Sequence, residues 1–156
     1  MNVRTIAVAF VMLASTGVAA QEAAPRETVS KAGGDVTWRV EIADEPQEQS
    51  RGLMFRRSMP ALTGMLFDFG GSEPVTMWMR NTYIPLDMVF ICPDGTIARV
   101  AANTVPESEA IVASGEPVRY VLEINAGEAA KHGLERGLRL ETDGARFGGE
   151  RGDCAT

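Results

Sequence analysis

The chain has 156 residues, 15 Lys and Arg against 21 Asp and Glu, a formal charge of −6 and 45% hydrophobic residues. That length suits one domain with a single core after any leader is removed. The acidity argues against nucleic acid, whose phosphates select a basic face, and against anionic membrane surfaces.

Residues 1–20 read as a signal peptide. Arg4 gives a positive start, residues 6–14 an apolar core, and Val18-Ala19-Ala20 a small-residue cleavage site before Gln21. The apolar stretch is shorter than the about 20 residues that span a bilayer. The expected product is exported, periplasmic or secreted, with no membrane span after cleavage. Residues 21–34, rich in Ala, Glu, Gly and Pro, predict a disordered linker.

The globular domain is expected over 35–143. In 35–43, Val36, Trp38, Val40 and Ile42 alternate with Thr37, Arg39 and Glu41, which predicts a half-buried strand. Asp44 as N-cap with Gln47 three positions on, and Gly52 beyond the end, predict a helix of about two turns. Residues 64–69, GMLFDF, form a strand, and Gly70-Gly71-Ser72-Glu73-Pro74 reads as a turn. Two apolar runs follow, 75–79 and 86–92, joined by a polar connector at 80–85. Pro93-Asp94-Gly95 marks a tight turn into a strand at 96–102. Residues 103–116 read as a long surface loop and 117–124 as a strand. Asn125 with Glu128 three positions on, and Gly133 beyond, predict a second short helix. A last strand falls at 138–141, before a flexible Gly-rich tail at 144–156.

The fold expected from these elements is a β-rich α+β single compact domain, mainly antiparallel. Hairpin-length connections at 70–74, 80–86 and 93–95 favour that pairing, and a partly closed barrel or strongly bent sheet with two short helices would protect the sheet edges.

The succession RGLMFRRSM (51–59), GMLFDF (64–69), MWMRNTYIPLDMVFI (77–91), PDGTI (93–97) and RYVLEINAG (119–127) resembles the domain of unknown function 192 family, also called uncharacterised protein family 0127. The resemblance implies a small prokaryotic domain, often exported or membrane-anchored. It implies no activity, substrate or cofactor, and carries over no catalytic residue.

The chemistry must therefore be read from the residues. Asp87 lies inside an apolar run, where a carboxylate has to be hydrogen-bonded or paired. With Asn81 and Thr82 it reads either as a polar ligand site, with Arg51, Arg56 or Arg80 as counter-ion, or as a fastening of connector to strand. In the second case Asn81 and Thr82 are the leading donors to it. A catalytic Asp87, as acid or base of a small envelope hydrolase, lyase or isomerase, is the alternative, with Asp68 or Glu123 as a partner carboxylate. Met77 and Met79 raise a further alternative, a Cu(I) site completed by His132 or Cys92, although methionine more often fills core gaps. No H-E-x-x-H, C-x-x-C, G-x-S-x-G or phosphate-binding glycine loop occurs, and no cofactor is indicated. Cys92 and Cys154 permit a disulfide in an oxidising compartment, while Cys92 equally reads as a buried thiol. The leading expectation is an exported, non-catalytic binding or accessory domain for a small molecule, glycan, peptide or envelope protein, with a polar site around 81–87.

Overall fold

The computed structural model describes residues 26–34, 36–144, 146–148 and 154. The expected signal peptide and cleavage site, the first residues of the expected linker and most of the tail lie outside them. Seven strands and two short helices follow in order: β1 Arg26–Lys31, β2 Thr37–Ala43, α1 Pro46–Arg51, β3 Thr63–Met77, β4 Leu86–Ile91, β5 Ile97–Ala101, β6 Val112–Asn125, α2 Glu128–Lys131 and β7 Leu140–Thr142. They form one sheet ordered β5-β4-β6-β3-β2-β1-β7, in which only β2 and β3 run parallel. The sheet curls into a half-barrel. Its two edge strands touch at one point, where Thr96 bridges Arg139, supported by Ile97 N–H to Leu138 O and Leu140 N–H to Gly95 O, each 2.8 Å. This is the β-rich, barrel-like single domain expected from the strand pattern.

Alternation along the strands divides the core in two. One face gathers Val29, Trp38, Val40, Leu66, Val89, Leu122 and Leu140, with contributions from all seven strands. The opposite face gathers Met65, Phe67, Leu86, Met88, Phe90 and Val121 beneath the connector before β4. β4 is buried along its whole length, which explains its nearly unbroken apolar run. At Gly64 a Cβ would come within 2.3 Å of the Glu123 carbonyl, so glycine is what permits β3 and β6 to lie this close.

Several expectations need correction. Residues 26–31 of the supposed linker are a strand, held between β2 and β7. Gly70–Pro74 is not a hairpin turn but an irregular stretch within β3, where the register against β6 shifts. The 75–79 and 86–92 runs do not pair, because β6 inserts between β3 and β4. The turn at 93–95 does join the antiparallel neighbours β4 and β5. The supposed loop ends early, since Val112 already belongs to β6. α1 is capped from Glu45 rather than Asp44, with the Glu48 carboxylate accepting from Glu45 N–H at 3.3 Å. Gly127, not Asn125, is the N-cap of α2.

The described tail residues are tied down rather than free. Phe147 packs edge-on against Tyr120, and the Tyr120 hydroxyl donates to Arg146 O at 2.6 Å. Cys154 is joined to Cys92 as a disulfide, with Cα atoms 5.3 Å apart. Arg146 bonds Glu27 at 2.6 Å, and also reaches Asp44 and Asp68 at 3.3 Å.

Asp68 is the buried centre of that network, receiving Arg119 at 2.8 and 3.1 Å and Gly70 N–H at 2.9 Å. Burial acts to raise its pKa, but the Arg119 hydrogen bonds, the Gly70 amide and the two arginine charges outweigh it and hold the group below the ordinary carboxylate range. A lowered carboxyl adds stability above its unfolded pKa and loses it as pH falls through the folded value. Arg119→Gln is expected to cost about 1 kcal/mol at pH 7, a figure already discounted for the half-exposed guanidinium, and to soften the acid loss. Urea midpoints followed from pH 7 to 2 check both effects.

Candidate functional site

Five residues singled out in the sequence do not assemble into one site. Asp87 is fully buried on β4. Its Oδ1 accepts from Asn103 N–H at 2.8 Å and its Oδ2 from Ala129 N–H at 2.9 Å. Asn81 and Thr82 are therefore not its donors. Asn81, at φ 56°, shapes the connector, and its carbonyl accepts from Phe55 N–H at 2.8 Å. The Thr82 hydroxyl donates to Arg80 O at 3.3 Å. Arg56 forks onto Glu41 at 2.8 and 2.5 Å, and Arg80 lies exposed over the Trp78 ring with Glu109 3.6 Å away. With no exposure and both oxygens engaged, Asp87 has no access to a substrate.

Nor do the partner carboxylates converge on it. Asp87 faces Ile124 in the β4–β6 register, which puts Glu123 on the opposite face of the sheet, and Asp68 belongs to the arginine network. The Cu(I) set fails to gather as well. The Met79 sulfur is buried and accepts from the Thr104 hydroxyl at 3.1 Å, Cys92 is bonded to Cys154, and His132 lies edge-on to Trp38.

What the fold builds instead is a cleft over Glu123. In the β3–β6–β4 register Glu123 stands between Met65 and Met88, on the face covered by the connector. It is 4% exposed and forms no side-chain hydrogen bond with any described residue. Burial pushes its pKa up to about 8, so the carboxyl is neutral at pH 7. Above it, Arg51, Leu53, Met54, Met77, Trp78 and Thr82 line an opening with about 30 Å³ of free room. α1 stops there because Gly52 takes φ +47°, and a Cβ at that residue would press to 3.1 Å from the Phe67 ring.

Three segments hold this rim in place through backbone hydrogen bonds. Phe55 N–H reaches Asn81 O, Met79 N–H reaches Ser108 O at 2.9 Å, and Glu107 N–H reaches Thr82 O at 3.0 Å. Around the opening, Phe55, Trp78 and Tyr83 are 55, 46 and 41% exposed, an unusual concentration of solvent-facing rings. Arg57 lies 6.0 Å from the Tyr83 ring centre and Arg80 5.7 Å from that of Trp78, while Glu109 stands 3.6 Å from Arg80, so the mouth is aromatic and carries charges of both signs.

In the sequence Glu123 stands out only as a possible partner carboxylate for Asp87. The signal of its burial is Val121, an apolar residue on the same face of the strand.

A half-barrel with a rim of connector and loop over one buried acid defines a small barrel-like domain with a narrow cleft. The chain belongs to the DUF192 family, described as an uncharacterized ACR, whose profile matches residues 28–142. A crystal structure of a protein from Sinorhizobium meliloti 1021, provisionally described as a transcription regulator, is 51% identical with a TM-score of 0.74, covering 78% of this chain and 96% of that one. A protein of unknown function from Novosphingobium aromaticivorans DSM 12444 is 40% identical with a TM-score of 0.69, covering 74% of this chain and 83% of that one. No curated protein matches the chain.

Proposed function

We propose that this protein is an exported, non-catalytic binding or accessory domain whose ligand seats in the Glu123 cleft beneath the connector. One observation carries the reading: a carboxyl group 4% exposed, unpartnered among the described residues, opens onto free space instead of being closed over by the core. Buried polar groups are ordinarily hydrogen-bonded, and one left open toward a cleft is matched to something that arrives there. The polar site expected at 81–87 thereby moves one layer down. Thr82 stays on its wall, and Asp87 becomes part of the frame.

Export is supported by the leader pattern in residues 1–20 and by the Cys92–Cys154 pairing, which suits an oxidising compartment. Among the described residues, no helix is long and apolar enough to cross a membrane. The regulator description of the S. meliloti protein does not lead us to a nucleic-acid role, because the formal charge of −6 opposes phosphate binding.

The test is a thermal-shift screen of residues 21–156 against sugars, nucleotides, organic acids, amines and metals, run beside Glu123→Leu. A compound at 100 times its Kd stabilises by about 2.7 kcal/mol, a readily measured shift in Tm. At least one compound should protect the wild type and not the variant. Equal responses throughout would refute the cleft as a binding site. Protein from the envelope should begin at Gln21.

A further inference from the structure

We infer that the Glu123 cleft takes the carboxylate of a small organic acid, with Glu123 donating a hydrogen bond to it and Arg51 supplying the opposite charge. This rests on the binding reading above and specifies its ligand.

The floor of the cleft sets the first requirement. Glu123 has no counter-charge, and its same-face neighbours Met65 and Met88 offer it no hydrogen bond. It is therefore held as an uncharged acid, whose O–H is a donor, and a buried carboxyl kept neutral in this way is suited to meeting an anionic oxygen.

The wall sets the second. Among the described residues, Arg51, the last residue of α1, is the only other ionisable side chain lining the cleft, and it forms no ion pair with any of them. The rest of the lining is uncharged: β3 contributes Phe67 and Met77, the turn after α1 Leu53 and Met54, and the stretch from β3 into the connector Trp78 and Thr82, while at the outer rim the Arg80 charge is met by Glu109. A cationic ligand would meet Arg51 and would also have to displace the Glu123 proton. A carboxylate, which only accepts, is satisfied by both groups at once.

Size sets the third. About 30 Å³ admits an end-group and not a ring, which leaves the apolar remainder of the ligand against Met54, Met77 and the exposed face of Trp78.

The sign of the pH dependence follows. The ligand is ionised above about pH 5, and Glu123 keeps its proton until about pH 8. Above that, the donor is lost and a second negative charge faces the ligand. If the ionised form does not bind, affinity falls about 30-fold between pH 7 and 9.5.

The experiment titrates phenylacetate and phenylacetamide into residues 21–156 at pH 6, 7 and 9.5. It follows the fluorescence of Trp78, the indole at the cleft, with calorimetry for confirmation. Expected are binding of the acid and not the amide, and the fall at high pH. Glu123→Gln, which keeps a donor but cannot ionise, should bind without that fall, and Arg51→Gln should weaken binding about tenfold or more at every pH. Equal binding of the amide, a pH fall that persists in Glu123→Gln, or no effect of Arg51→Gln overturns the inference. A tripeptide with a free C-terminus is compared with its amidated form. Tighter binding of the free tripeptide than of phenylacetate overturns the small-acid source in favour of a peptide end. A neutral or cationic compound that protects only when Glu123 is present leaves the binding reading standing and defeats the carboxylate. If nothing distinguishes wild type from Glu123→Leu, both fail.

Discussion

Asp87→Ala is expected to lose about 4 kcal/mol of stability, a large share of what a domain of this size possesses. The side chain is fully buried and ties together three parts of the chain that are distant in sequence: β4 itself, the Asn103 amide after β5, and the Ala129 amide in α2. α2 is only four residues long, and its N-cap is Gly127, which has no side chain to offer. Asp87 supplies from β4 the acceptor that an Asp or Ser cap would normally bring locally. Asn103 sits at φ 52°, a left-handed conformation that a non-glycine residue holds at a cost and that this bond helps to maintain. Removing the carboxylate strands the buried Ala129 amide, at about 1–3 kcal/mol, and the part-buried Asn103 amide, at the low end of that range, and leaves a cavity in the core beside them. Asp87→Asn keeps one good acceptor and should lose about half as much. Urea midpoints of the three proteins decide the matter. An Asp87→Ala protein within about 0.5 kcal/mol of wild type would mean that neither bond matters to the fold.

That Asp87 must be buried and bonded was legible in the sequence, because a carboxylate amid Leu86, Met88, Val89 and Phe90 has few other options. Its partners were not. They are delivered by topology: the chain leaves β5 through Asn103, and β6 hands on to α2 beside β4, pairings that no local pattern encodes. The same cause misled the reading of 75–92 as a hairpin. The connector has hairpin length, but β6 arrives from later in the chain and takes the place between the two runs.

Composition failed at 26–31 for a related reason. RETVSK has little to bury and only Val29 is fully covered, yet pairing on both sides with β2 and β7 fixes it as a strand. Gly70 and Gly71 signalled a break, and the structure does bend there, but as an irregularity within one long strand. Where local chemistry decides, as in the alternation of Val36 to Ile42 or the Asp-Gly turn at 94–95, sequence and structure agree.

Glu123 combines both limits. Its position on a strand was clear, but its environment depends on Met65, Met88 and the connector, which approach from three separate segments. On the proposed reading, stability and binding pull in opposite directions at this residue. An acid with no partner in the fold weakens the fold at neutral pH, and such a group persists where a ligand rewards it.

Glu123→Gln is accordingly expected to stabilise the unliganded protein by up to about 3 kcal/mol at pH 7, with a dependence on pH that identifies the cause. The ordinary pKa of 4.5 is raised to about 8 in the folded state by burial. Below 4.5 both folded and unfolded chains carry the proton, and the variant should differ little from wild type. Between 4.5 and 8 the unfolded wild type releases its proton while the folded form keeps it, so ionisation favours unfolding increasingly as pH rises. Above 8 both forms are ionised and the deficit levels off. Glutamine has no such step, because its amide stays neutral throughout and occupies nearly the same volume. Midpoints of urea unfolding at pH 4, 7 and 9 should therefore coincide for the two proteins at the lowest value and separate at the others, with the variant ahead. Parallel curves would show that Glu123 is ionised or solvated in the folded protein. The uncharged donor at the floor of the cleft, and the preference for a carboxylate drawn from it, would then be lost together.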